Sequence, residues 1–267
     1  MRLSESTVQL ARSLAPLAAF ALGLALERIA PHAALRPAWR ANLGLWLLDA
    51  LLMTVVCGAC AWTLAVSIQT SGIGLLNQID APLAIGIPAT IVGLDLVSYV
   101  WHRATHEVGF LWRFHRVHHA DTDYHVSTAL RFHPGELLLA LPVRLSAILL
   151  LGAPPEAVVV FEVVFGIANV LEHGNFDLPR RLERVLSGVL VTPALHRRHH
   201  STERRERDSN FGTILNVWDR LARTLRPAAS DEGFPTGLPG CAAGKAHSLA
   251  AMLLEPLPSD ERDRRSS

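Results

Sequence analysis

Apolar and polar stretches alternate along the chain at membrane scale. Residues 8–26 are apolar apart from Gln9, Arg12 and Ser13, close to the ~20 residues that cross a bilayer as helix. This stretch has the length of a signal peptide too, but the further spans behind it favour a retained first helix. A short loop carrying Arg28, Arg36 and Arg40 precedes a second span at 43–68, whose one acid is Asp49. A Gly/Asn-containing linker at 69–81 leads to a third span at 82–101, which carries Pro88 and Asp95. Residues 102–136 are polar and histidine-rich. Two shorter apolar arms, 137–151 and 157–171, flank the Gly152-Ala153-Pro154-Pro155 turn and predict a tight transmembrane hairpin or a re-entrant pair. Residues 172–226 are polar again. Within them Ile214, Trp218, Leu221 and Leu225 predict an amphipathic helix on the membrane surface. The tail from Pro227 is rich in Pro and Gly, ends in DERDRRSS and is expected to be loosely ordered. The pattern predicts an all-α, multi-pass membrane bundle of about three spans plus a hairpin, with a cytosolic histidine-rich helical cap. It divides into N-terminal membrane helices (1–81), a catalytic domain (82–226) and the tail (227–267).

Composition agrees. Hydrophobic residues make up 50% of the 267, charged residues 18%, and mean hydropathy is +0.26; an ordinary soluble protein is about 25% charged. The net charge of +1 gives no global argument for a nucleic-acid partner. Three cysteines exclude a disulfide framework. Cys57 and Cys60 form a C-x-x-C inside LLMTVVCGACAWTLAV, which is too apolar for redox or zinc chemistry and suits small packing residues in a membrane helix. The Arg-bearing loops, 28–40, 103–131 and 180–226, fall on one side if spans two and three form one out-and-back pair and the hairpin another. Positive-inside reasoning makes that side cytoplasmic, although Arg2 and Arg12 sit awkwardly with a first helix that starts outside.

The chemistry lies in histidines. Within residues 95–119 (DLVSYVWHRATHEVGFLWRFHRVHH), Asp95, Tyr99, His102 and His106 fall at i, i+4, i+7 and i+11, one face of a helix. His115, His118 and His119 follow at i, i+3 and i+4, and His196, His199 and His200 repeat that spacing. Neutral imidazole binds zinc, iron, copper and nickel. Eight clustered histidines are too many for one ion and suit two, on the order of 4 Å apart or somewhat more. His173, in EHGNF, is placed to join them; the alternative is a polar helix cap. His133, in RFHPGE, is assigned to the metals, their supporting residues or the substrate pocket, with a turn residue before Pro134 as the plain alternative. His125 is expected to lie outside the ligand set, and His32 and His247 receive no role. Asp95, an acid inside a span, needs a partner; a metal-bound histidine's free ring N–H is the expected one, with Tyr99 in the same network.

HRATH, HRVHH and HRRHH resemble the three histidine boxes of the fatty acid hydroxylase superfamily, which includes the sterol desaturases. The surroundings DLVSYVWHR, LWRFHRVHHAD, STALRFHPGE, EHGNFDLP, VTPALHRRHHS and DSNFGTILNVWDRL are similar to that family's, over roughly residues 85–225. The resemblance implies an integral-membrane, non-haem enzyme with two irons per chain, using O2 on a lipid C–H bond to give an alcohol or an alkene. It carries the ligand role onto His102, His106, His115, His118, His119, His196, His199 and His200, with His173 joining them and His133 and Asn175 as supporting or substrate-facing residues. His125 departs from the family pattern. With no fused cytochrome or ferredoxin-like domain, electrons are expected from a separate donor of ferredoxin or cytochrome b5 type, in a bacterial inner membrane. Two rival readings stand beside this one. A zinc hydrolase would use a Glu base such as Glu107 or Glu172. A metal transporter would place its ligands along a path near the bilayer midplane.

Overall fold

The computed structural model describes residues 5–34, 38–57, 60–227, 235–239 and 248–257. Arg36, Gly58 and His247 lie outside these, as does the side chain of Cys57.

The described N-terminal part is mostly helical. Helix α1 (Glu5–Ile29), α2 (Trp39–Cys57) and α3 (Cys60–Ser71) are followed by one turn, α4 (Leu75–Gln78), within the expected linker. Helix α5 (Leu83–Glu107) is the long axis of the molecule. It ends at Val108, and the chain restarts at once as α6 (Gly109–His119), so the first two histidine clusters occupy consecutive helices. A 3-10 turn, η1 (Val126–Leu130), leads to the hairpin of α7 (Pro134–Leu151) and α8 (Pro155–Glu172). Among the described residues, four stretches are long and apolar enough to cross a membrane: Leu10–Ile29, Trp39–Gln78, Leu83–Glu107 and Pro134–Leu151. Both hairpin arms have 18 residues, roughly 27 Å of helix, longer than the apolar runs alone suggested because polar caps extend them. The outward faces carry Leu17, Leu51, Val55, Ile85, Val100 and Leu150, all at least half exposed. So much bare apolar surface is unfavourable in water and suits lipid.

Small residues let these helices approach. Ala61, Ala65, Ala147, Ala153 and Val158 pack with Leu94, Ile148 and Phe161 where α3, α5, α7 and α8 meet. At the end away from the histidines, the loop after α3 rests directly on the α7–α8 turn. Gly152 closes α7 in the left-handed region at φ 66°, and Gly74 stands opposite at φ 91°. A β-carbon on Gly74 would lie 2.2 Å from the Gly152 nitrogen, so only glycine permits this contact.

The polar cap follows as short helices: α9 (Arg180–Leu186), α10 (Pro193–His199), α11 (Arg204–Arg207) and α12 (Val217–Ala222). The expected surface helix through Ile214, Trp218, Leu221 and Leu225 is not formed. Ile214 is buried against the membrane helices while Leu221 is 72% exposed, because α12 spans only six residues and the segment before it turns inward. Helix α13 (Leu249–Leu254) buries Met252 against Leu45 and Val117, and Glu255 pairs with Arg116 at 3.0 Å.

Candidate metal centre

Each histidine cluster is delivered by a helix that starts or ends where its sequence dictates. Thr192 caps α10, its side chain accepting from Leu195 N, and Pro193 opens the helix, where a missing N–H costs nothing. That one-and-a-half-turn helix presents His196 and His199, with His200 at its end. His102 and His106 come from the last turns of α5, His115, His118 and His119 from α6, and His173 from the end of α8.

These nine imidazoles form two groups. His102, His106, His115, His119 and His199 make one; His118, His173, His196 and His200 make the other. Within each group the ligand nitrogens lie within 4.8 Å of one another. The groups adjoin: the His119 ring stacks on His200 at 4.3 Å, and His102 stands 6.2 Å from His196, centre to centre.

The outer nitrogens are tied to oxygen. His102 Nδ1 meets the Phe211 carbonyl at 2.9 Å, His118 Nδ1 the Arg131 carbonyl at 3.2 Å, His173 Nδ1 the Asn169 carbonyl at 2.6 Å and His199 Nδ1 the Ser209 carbonyl at 2.7 Å. His115 Nδ1 meets Glu136 Oε1 at 2.9 Å and His106 Nδ1 lies 3.5 Å from Asp208. A carbonyl only accepts, so His102, His118, His173 and His199 carry their proton on Nδ1 and turn a bare Nε2 lone pair inward. In the first group all five Nε2 atoms are buried without a partner. In the second, Nε2 of His118 and of His173 lie 3.0 Å apart, and Nε2 of His196 lies 3.1 Å from that of His173. For His118 and His173 this sets lone pair against lone pair, which is repulsive unless a cation lies among them. The donor sets therefore fit two metal ions.

Burial pushes the imidazoles of His118, His119, His196 and His200 well below the ordinary histidine range, and the neighbouring imidazoles add to it. Burial likewise brings His173 down to about 4 and His199 to about 3. All are then neutral near pH 7, the form that binds metals.

Asp95 does not meet a histidine. Its carboxylate accepts from Ile214 N and Leu215 N, both at 3.2 Å, and from Trp218 Nε1 at 2.8 Å. It anchors the segment between the last cluster and α12. Tyr99 bonds Thr224 Oγ1 at 3.0 Å, and Thr224 donates to Asp219 at 2.6 Å. Asp219 in turn accepts from Phe211 N and Gly212 N, so Tyr99 reaches His102 only through the loop whose carbonyl holds that ring. His133 caps α7, accepting from Gly135 N, and its other nitrogen faces the Leu253 carbonyl; it belongs to neither group. Asn175 brackets Ala33, accepting from its N–H and donating to its carbonyl, and so pins the chain after α1. His125 caps η1, and His32 pairs with Asp177; both lie outside the two groups. Glu107 is on the surface, paired with Arg103.

Glu136 was not singled out from sequence, although it stands in the quoted HPGE. Its signal was an acid in the first turn of a helix that faces the second cluster. Glu172 is buried, with Oε2 3.8 Å from His196 Nδ1. Both acids line a cavity of about 630 Å³ of empty space, partly open to the surroundings. Its walls include Val97 and Trp101 of α5, Val143 and Arg144 of α7 and Phe165 of α8, and five of the nine histidines border it.

Comparison with known proteins gives one consistent answer. The profile of the family described as Fatty acid hydroxylase matches residues 87–224. An ornithine lipid hydroxylase, OlsE, of Rhizobium tropici is 33% identical over 180 residues, covering 66% of this chain and 51% of that protein. The human alkylglycerol monooxygenase is 32% identical over 140 residues (51% of this chain, 30% of that one), and the human cholesterol 25-hydroxylase 28% over 140 residues (51% and 49%). The chain thus spans about half or less of the length of these relatives. No solved structure matches it significantly. The family match takes in every histidine of both groups, and the chain belongs to the fatty acid hydroxylase family.

Proposed function

We propose that the protein is a membrane-bound oxygenase that hydroxylates or desaturates a lipid C–H bond, using O2, two irons per chain and electrons from a separate donor of ferredoxin or cytochrome b5 type. One observation carries the reading: nine imidazoles gather in two adjoining groups, and five of them border a largely apolar cavity between the membrane helices. Iron held in such a site supplies the O2 activation that an unactivated C–H bond needs, chemistry that belongs to the cofactor. His102, His106, His115, His119 and His199 would hold one ion, and His118, His173, His196 and His200 the other. The carbonyls of Phe211, Arg131, Asn169 and Ser209, with Glu136, fix the rings and their tautomers, as supporting contacts of metal ligands do. Trp101, Val143 and Phe165 exclude water and admit a hydrocarbon chain. Glu172 lies on the cavity wall with Oε2 3.8 Å from His196 Nδ1, close to that ring but beyond hydrogen-bond distance.

The five nitrogens of the first group exceed the three or four protein ligands zinc takes, and imidazole sets of this size suit iron. Residues 82–226 would form the catalytic domain. The Arg-rich cap supports a centre on the cytoplasmic side, and the reading sets it in a bacterial inner membrane. The lipids named in the relatives, an ornithine lipid, an alkylglycerol and cholesterol, share little beyond apolarity, so none is transferred. The test is metal analysis and O2 uptake of the protein in lipid nanodiscs with a reduced donor, and mass spectrometry of host lipids. Two irons per chain and a gain of one oxygen or loss of two hydrogens are expected. Tightly bound zinc with ester cleavage and no O2 uptake would overturn the reading.

A further inference from the structure

Arg144 has no part in the metal centre. It lies at the middle of α7, within an apolar stretch, and is one of the residues that line the cavity. Its carbon stands 5.2 Å from the Phe165 ring centre and 5.8 Å from that of Phe161, the stacking a guanidinium favours. No hydrogen bond or ion pair within 4.0 Å holds it among the described residues. A charged side chain at this depth is costly and marks a functional site by default, its counter-charge to be identified. The acid whose charge bears on it is Glu162 of α8, and Glu162 is already taken by Arg12 of α1 at 2.8 Å. Two guanidiniums share one carboxylate, and the one without a bonded partner faces the cavity. The two acids in the cavity wall, Glu136 and Glu172, stand at its other end, against His115 and His196.

Position on α7 gives the scale. Glu136, Ala140 and Arg144 follow at i, i+4 and i+8 and all line the cavity, as residues on one helix face do. Arg144 is thus two turns, roughly 12 Å, from the acid that holds a metal-group histidine. Helical side chains lean toward the N-terminus, which aims the guanidinium at the imidazoles.

We propose that Arg144 receives the anionic oxygen group, carboxylate or phosphate, of an acidic lipid, and that the oxidised carbon lies close to that group rather than at the far end of the chain. This rests on the lipid-oxygenase reading for the word "oxidised" only; the binding claim stands apart from it.

The test measures binding to the full-length, iron-loaded protein in nanodiscs, by native mass spectrometry. The probes are palmitate, its neutral methyl ester, and palmitoyl lysophosphatidate. The wild type is expected to prefer an acidic probe to the ester by at least about tenfold, the scale of one charge-assisted contact; which acid binds tighter distinguishes carboxylate from phosphate. Arg144→Gln should remove that preference with iron content and ester binding unchanged, and Arg144→Lys should keep part of it. Should Arg144→Gln fail to assemble, Glu162→Gln serves: freeing Arg144 of its competing acid should tighten palmitate severalfold. Equal binding of acid and ester by the wild type, a preference that survives in Arg144→Gln, or no change in Glu162→Gln overturns the proposal. O2 uptake is read separately. Preference without uptake sinks the oxygenase reading alone, and uptake without preference sinks the Arg144 assignment alone.

Discussion

Replacing Asp95 separates two roles for an acid inside a membrane helix. If it oriented a metal-bound histidine, its loss would weaken metal binding and leave stability nearly intact. The contacts say otherwise. Asp95 is fully buried and accepts from two backbone N–H groups and one indole N–H on the segment before and within α12. Asp95→Ala leaves three donors without an acceptor, each costing about 1–3 kcal/mol. Roughly 3–9 kcal/mol is therefore expected, with some recovered if a water enters. For a chain of this size that corresponds to a fall in Tm of at least about 6 °C. Asp95→Asn keeps one acceptor oxygen and should fall between. The same segment carries the Phe211 carbonyl that orients His102, so metal loss should follow unfolding of the cap and not precede it. The assay is thermal unfolding of purified protein in detergent, followed in parallel with iron per chain. A variant Asp95→Ala with unchanged Tm and one iron missing would refute this reasoning and restore the histidine-partner role.

Glu136→Leu strips His115 of its acceptor and should lower iron affinity or turnover about 10- to 100-fold, while Glu136→Gln, which still offers a carbonyl oxygen, should lose little; metal titration distinguishes the two. His199→Ala and His173→Ala, one from each group, should each lower iron per chain and abolish turnover, and full iron in His199→Ala would show that the last cluster holds no metal. The metal-free protein should lose stability on acidification. His173 at about 4 and His199 at about 3 lie below the ordinary 6.5, so between those values the unfolded chain takes up protons that the fold refuses. Stability present above pH 6.5 then drains away as pH falls toward 4, and a Tm of chelator-treated protein no lower at pH 5 than at pH 7.5 would contradict it. Iron should raise Tm at either pH.

How much of this was legible in the chain differs residue by residue. The first two histidine clusters were, because helical spacing alone puts His102 with His106 and His115 with His118 and His119 on common faces. That the last cluster joins them rested on a topological argument and on family resemblance, since spacing within HRRHH says nothing of where α10 lies. The division into five and four was not legible: His118 and His119 are neighbours, yet they fall in different groups because successive helical positions point about 100° apart. Nor were the ring partners, most of which are backbone carbonyls and leave no mark on residue identity. Asp95 shows the limit from the other side. The sequence demands a donor for a buried acid but does not say which, and main-chain N–H groups are present at every position. His133 and Asn175 stand near the boxes in sequence and do local work instead, one as a helix cap and the other as a tie to the chain after α1.

The glycine contact between residues 74 and 152 bears on how a lipid enters. Main chain touches main chain there, and no side chain stands between to act as a bearing. The hairpin is thus clasped at its bend. Any parting of α5, α7 and α8 wide enough to pass an acyl chain must swing from that clasp, with the greatest travel at the imidazole end. Alanine at either glycine would drive the loop and the bend apart and undo the clasp.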